Sequence, residues 1–527
     1  MLALAAPALA SDGATLIAYM RARAADAGGR SVAAARDYAV ALAAHPHDEV
    51  IAIRAYRQAL AAGDMHLADR AAAVLIAGGV APSDADIVAL TAALAASDLA
   101  GAEAANTRLA AGGLDFLAPV VAGWLALARG ESDAAARLDM RQRNPVGARY
   151  AAVHRSLLLL AGKRLDGGLA AARATLTASD AAIAPRIAAA ARLADKGRRD
   201  AARGLLAGDG PVLADARRRL ERDRLGKGAV TAVDGIALLL AAMAQDIGDD
   251  RGSLLGIALA RSALRLRPAD DATRIVLARA LAAERDEDAA LAELARVSRG
   301  SPHAAQADVA AAAIRQAMGD HAEALAIAAR RADAGTDPAA IVALGDLLLI
   351  QGRSAEAATA YARATALFEA RGEAPAWMLR FQEGAARERA GEWAAARTLL
   401  ERALADAPDE PALLNYLGYS QVDRGENMDV AQARIARASM LRPDDASITD
   451  SLGWAYFRRG DHQRAVVVLE KAARAEPGDA EINDHLGDAY WAVGRRFEAR
   501  YAWAAARLAA DDAAAARIGA KIADGPR

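Results

Sequence analysis

The 527-residue chain carries 65 Lys and Arg against 67 Asp and Glu, a net charge of −2, and is 54% hydrophobic with only 4% aromatic residues. This balance leaves no global field to attract nucleic acid or an acidic membrane, and the absence of cysteine excludes disulfides, thiolate metal sites and cysteine nucleophiles. Alanine fills most apolar positions and strand formers never alternate over a useful length, so the composition points to all-α packing with closely approaching helices.

In chain order, residues 1–10 form a short apolar run ending Ala8-Leu9-Ala10, followed by Ser11-Asp12-Gly13. Small residues at −3 and −1 suit a signal peptidase, so the run reads as the remnant of a signal peptide and the expected location is the periplasm. Without cleavage the alternative is the cytoplasm. Residues 11–207 read as a degenerate helical array: Ala34, Ala68, Ala102 and Ala135 recur at intervals of 34, 34 and 33. Gly63-Asp64, Ser97-Asp98, Arg129-Gly130 and Ala161-Gly162 are turn signals between paired helices. The beat breaks at 208–235, where Gly210-Pro211 and Gly226-Lys227-Gly228 mark a joint between sub-arrays. Around it, Arg186 to Lys227 holds 12 Lys and Arg against 6 Asp and Glu, a run that most often is a solvated helix face. Residues 236–510 form the main array, and the Ala/Asp tail 511–527 either caps the stack or is disordered. No run reaches the ~18 apolar residues of a membrane-spanning helix.

The beat is clearest in the second half, where Gly384, Gly418, Gly453 and Gly487 recur at intervals of 34, 35 and 34. Ala396, Ala465 and Ala499 each stand twelve places beyond their glycines, and Ala431 stands one place later than that beyond Gly418. Pro408, Pro443 and Pro477 close units. Gly345 with Ala357 fits the same ruler, though the step from Gly345 to Gly384 is wider than the others, which predicts a longer second helix there. This is the tetratricopeptide (TPR) pattern, in which positions 8 and 20 must be small because two helices touch there. The expected fold is an all-α, right-handed superhelical TPR solenoid of about thirteen to fourteen helix–turn–helix units.

In such a stack the first helix of each unit, helix A, lines the groove. The inward positions predict a face containing Phe381, Asn415, Tyr419, Asp450, Trp454, Phe457, Asp484, Asp488 and Trp491. Aromatics are scarce elsewhere, and rigid aromatics are the usual binding hot spots. With acidic acceptors beside them they suit an extended or helical segment bearing apolar and basic side chains. The competing reading is that they complete packing between repeats. Asp450 and Asp484 stand where a carboxylate-binding clamp needs cations, so no such clamp is expected in these units. The Walker, dinucleotide, zincin and nucleophile-elbow motifs are missing. His45-Pro46-His47 lies in a predicted turn without a further ligand at suitable spacing. The expectation is a protein-binding scaffold with no catalytic residues, cofactor or metal; a TPR-linked enzyme would need a non-helical insert or a cluster of titratable groups.

Leu414-Asn415-Tyr416-Leu417-Gly418-Tyr419, Asp450-Ser451-Leu452-Gly453-Trp454-Ala455-Tyr456 and Asn483-Asp484-His485-Leu486-Gly487-Asp488-Ala489-Tyr490-Trp491 carry a more specific likeness. The stretch from Pro411 to Trp503 resembles bacterial envelope TPR adaptors, similar to the outer-membrane lipoprotein that activates a periplasmic C-terminal processing protease. The resemblance implies protein partners, namely an envelope protease and the cell-wall hydrolases delivered to it. The lipid-attachment cysteine of such adaptors is missing from this sequence.

Overall fold

A computed structural model describes residues 6–131, 133–138, 144–176, 182–248, 254–333, 335 and 337–526. Among them lie 29 α-helices and two short 3-10 turns, with no strand. Of the segment read as a signal-peptide remnant, residues 1–5 lie outside the described residues and 6–10 belong to helix Ala6–Ala27. No helix is long and apolar enough to cross a membrane among the described residues. The chain divides into two compact units, Met1–Ile327 and Ala328–Arg527.

In the first unit Ala34, Ala68 and Ala102 are fully buried on the second helices of successive pairs, Ser31–Ala44, Met65–Gly78 and Leu99–Leu109. Asp64 and Asp98, read as turn residues, are N-caps, each side chain accepting from the amide three residues on. Ala135 falls in the 3-10 turn Ala134–Arg137, so the second member of that pair is only a turn long. The segment 208–235 contains helix Pro211–Glu221. The unit also has a closure that nearest-neighbour stacking does not predict. Helix Leu254–Leu266 packs against helices Glu49–Ala62 and Ala85–Ala95. Arg261 donates to the carbonyls of Leu60 (2.9 Å) and Ala61 (2.8 Å) in the last turn of helix Glu49–Ala62. Arg265 forks onto Asp69 at 2.9 and 2.8 Å.

The second unit is a regular stack. Its A helices are Pro338–Ile350, Trp377–Arg389, Pro411–Arg424, Ala446–Arg458 and Ala480–Ala492. Each is followed by a B helix: Ser354–Ala370, Trp393–Asp406, Met428–Leu441, His462–Ala475 and Arg496–Ala509. Asp445, Asp461 and Asp479 cap the helices they precede. The wide step from Gly345 to Gly384 has the expected cause: Ser354–Ala370 has 17 residues where the other B helices have 14.

The position-8 glycines explain the beat physically. A Cβ on Gly345, Gly384, Gly453 or Gly487 would stand 2.3–2.9 Å from the residue sixteen places later on the B helix, namely Tyr361, Leu400, Leu469 and Trp503. On Gly418 it would meet Ile435, seventeen places later, and the Ala431 carbonyl. That one-residue delay matches the late alanine of the same unit. Ala396, Ala431, Ala465 and Ala499 are all fully buried. The helices therefore touch where the small residues sit, and a large residue from the B helix fills the space each glycine leaves. The chain closes with helix Asp512–Asp524, capped by Asp511, which packs on Arg496–Ala509.

Candidate protein-binding face

The A helices of the second unit hold one another through polar contacts along one face. Gln382 donates to Asp346 (2.9 Å), Tyr416 to Glu388 (3.2 Å), and Arg458 to Asp423 (3.3 Å). Tyr419 reaches over the intervening unit to Glu481 (2.6 Å), which tethers helix Pro411–Arg424 to Ala480–Ala492.

Seven of the nine predicted residues fall into three groups on this face. Phe381 meets Tyr416 edge-on at 5.3 Å, with Trp377 beside it, and forms an aromatic patch at the start. In the middle, Trp454 is stacked between Phe457 (4.9 Å, 11°) and His485 (4.1 Å, 14°). Beneath it Asp450 is buried and takes the His485 Nδ1 at 2.9 Å. At the far end Asp484 accepts from Arg517 and Lys521, both at 2.7 Å. Asp488 accepts from Lys521 (2.7 Å) and from the Trp503 indole (3.0 Å). Trp491 lies under the last helix, packed with Trp503, Ile518 and Ile522, and Arg496 stacks on it at 3.8 Å.

Two buried polar atoms on this face, Asn415 Oδ1 and Trp454 Nε1, have no hydrogen-bond partner among the described residues. Such groups are uncommon, since each forgoes about 1–3 kcal/mol of hydrogen bonding. Asn415 lines a cavity of about 200 Å³ with Tyr419, Asp450 and Glu481. Trp454 borders a second of about 440 Å³, which runs from Tyr419 past Asp484 to Lys521.

His485 has a predictable electrical consequence. Burial disfavours its imidazolium, but the adjoining Asp450 carboxylate outweighs that and raises its pKa above the ordinary histidine value. A raised folded-state pKa contributes stability that is fully present below the unfolded value, about 6.5, and is lost as pH rises through the folded value. Denaturant unfolding of the second unit is therefore expected to become easier from about pH 6.5 upward, and His485→Gln should flatten that decline. An unchanged pH slope in the variant would remove His485 as its source.

Most cations of the basic stretch Arg186 to Lys227 are exposed, among them Lys196, Arg198, Arg218, Arg219 and Lys227, but several bind the protein's own backbone or acids. Arg192 donates to the carbonyls of Leu160 and Ala161 at 3.2 Å, and Arg217 to those of Leu206 (2.7 Å) and Gly208 (2.6 Å). Arg199 binds the Leu220 carbonyl (2.8 Å), and Arg203 pairs with Glu221. Apart from Arg203, these guanidiniums donate to carbonyls at or just beyond helix C-terminal ends. Sequence reasoning also missed Arg517 and Lys521, although Arg517/Lys521 and Ile518/Ile522 are spaced one turn apart in the tail.

No protein-family model matches the chain. The TPR repeat-containing protein PA4667 of Pseudomonas aeruginosa is 42% identical over 57 residues, 11% of this chain and 10% of that protein. The chain thus spans about a tenth of the length of this curated relative. A tetratricopeptide repeat protein from Parabacteroides merdae covers 47% of this chain and 96% of its own at 16% identity, TM-score 0.40. The Cut9–Hcn1 hetero-tetramer structure covers 90% of this chain and 96% of its own at 16% identity, TM-score 0.39. The second unit is a TPR array. That assignment rests on its helix pairs and on the glycine contacts that set their spacing.

Proposed function

We propose that the chain is a non-catalytic scaffold that binds a partner's extended or helical segment along the A-helix face of its second unit. The observation that carries this reading is the pair of unpartnered buried atoms, Asn415 Oδ1 and Trp454 Nε1, beside the Tyr419, Trp454 and Phe457 aromatics. A segment laid along the face supplies an acceptor to Trp454 and a donor to Asn415 while covering the rings. The Ala8-Leu9-Ala10 signal and the resemblance of residues 411–503 to envelope adaptors support a periplasmic location and a role in presenting cell-wall hydrolases to an envelope protease.

The test is a crosslinked pull-down of the tagged full-length protein from intact cells, alongside Trp454→Ala and Asn415→Ala. Capture of an envelope protease or hydrolase is expected to fall by about tenfold with Trp454→Ala, a hot-spot magnitude. Asn415 Oδ1 bonds to none of the described residues, so Asn415→Ala should weaken capture without lowering the temperature of thermal unfolding. Undiminished capture by both variants would return these residues to a packing role, and recovery of cytoplasmic proteins alone would discard the envelope reading.

A further inference from the structure

The last helix, Asp512–Asp524, is seated on the binding face with little of its own surface buried. Of its 13 residues only Ile518 is fully buried. The attachment includes Lys521 on Asp484 and Asp488, Arg517 on Asp484, the Ile522 carbonyl accepting from Arg500 (3.0 Å), and apolar packing of Ala514 and Ile522 in the cluster that holds Trp491. The helix is also weak by itself. A segment this short is marginal in water, and Gly519 at its centre, with open space around it, costs about 1 kcal/mol of helix propensity.

The helix does not fill the space it covers. The cavity of about 440 Å³ has Ala514, Arg517 and Lys521 on one wall and Tyr419, Trp454 and Asp484 on the other. Ala514 is a methyl group facing a volume that a large side chain could occupy. Conversely, Asp484 is only 5% exposed, and a carboxylate so buried is strongly destabilised when its cations leave. The seat therefore favours exchange of one cationic helix for another over simple opening.

We propose that the Asp484–Asp488 seat is a docking site for a partner's amphipathic helix, and that helix Asp512–Asp524 is its resident competitor. The incoming helix carries two cations one turn apart, an aliphatic anchor beside the first of them, and a large apolar residue one turn ahead. This rests on the reading of the A-helix face as a protein-binding surface. It names the partner's chemistry at one end of that face.

The probe is a fluorescent synthetic peptide of residues 510–526 in two forms, natural and Ala514→Leu, titrated against the full-length protein and its Arg517→Ala/Lys521→Ala variant. The Ala514→Leu peptide is expected to bind the variant at least tenfold more tightly than it binds the unaltered chain, because the resident helix competes less well. It should also bind more tightly than the natural peptide. Replacing both peptide cations by glutamate should abolish binding. Hydrogen exchange on the variant should show faster exchange over 512–524 with protection kept over 480–509. Equal affinity for both proteins, or no binding by a variant whose 480–509 segment stays protected, would make the last helix a fixed cap and overturn the proposal. Because the peptide needs no cellular partner, this result is readable even where the pull-down fails.

Discussion

Glu293→Ala is expected to destabilise the first unit by about 3–5 kcal/mol, the cost of leaving a buried charge network without its centre. Glu293 is 3% exposed. It pairs with Arg261, with Arg274 at 2.9 Å and with Arg296 at 3.1 Å. Burial opposes its charge, yet the guanidiniums outweigh that and hold its pKa below the usual carboxylate range. Arg261, 8% exposed, also caps helix Glu49–Ala62, so removing Glu293 leaves a buried cation at the point where segments far apart in the sequence meet. Hydrogen exchange should show the loss over residues 49–62 and 254–296, with helices 411–509 of the second unit as an internal control. Combining Glu293→Ala with Arg261→Ala should cost less than the sum of the two, since each removes the other's unpaired charge. A change below about 1 kcal/mol would mean that apolar burial alone holds the closure, the value expected of an ordinary solvated ion pair.

This closure was not legible in the sequence. A repeat is visible because the same contact is made once in every unit and demands the same small residue each time. Arg261 makes its contact once, with backbone carbonyls that have no sequence signature. The same limit applies within the basic stretch: Arg192 and Arg217 answer to backbone carbonyls, and charge counting cannot pick them out from the exposed cations around them. At the candidate site the outcome is divided. Helical spacing was enough to place Tyr419, Trp454, Asp450 and Asp484 on successive A helices. What neutralises the acids was hidden, because Lys521 and Arg517 belong to an alanine-rich tail without a repeat to align it. The partners of Asp450 and His485 were equally hidden, although both lie in phrases that stood out, since a pairing between units depends on how far one helix is offset against the next.

Gly418→Ala and Gly519→Ala are expected to change stability in opposite directions, though both exchange glycine for alanine inside a helix. Alanine gains about 1 kcal/mol of propensity at either site. At Gly418 the new methyl would lie 2.7 Å from Ile435 Cγ1 and 2.9 Å from the Ala431 carbonyl oxygen. The Ile435 side chain could shift, but the carbonyl belongs to a helix backbone and cannot move without displacing helix Met428–Leu441. Overpacking of this kind costs about 1–3 kcal/mol, which exceeds the propensity gain. The second unit should therefore unfold at lower denaturant concentration, with exchange rising first in helices 411–424 and 428–441. At Gly519 a Cβ meets nothing within 4 Å, so the propensity gain is unopposed and protection over 512–524 should increase by up to fivefold, the equivalent of about 1 kcal/mol. Stabilisation at both positions would show that the interhelical contact yields easily and does not impose the beat. Opposite signs would locate the origin of the beat in the one place where an A helix and its B helix have no room for a side chain.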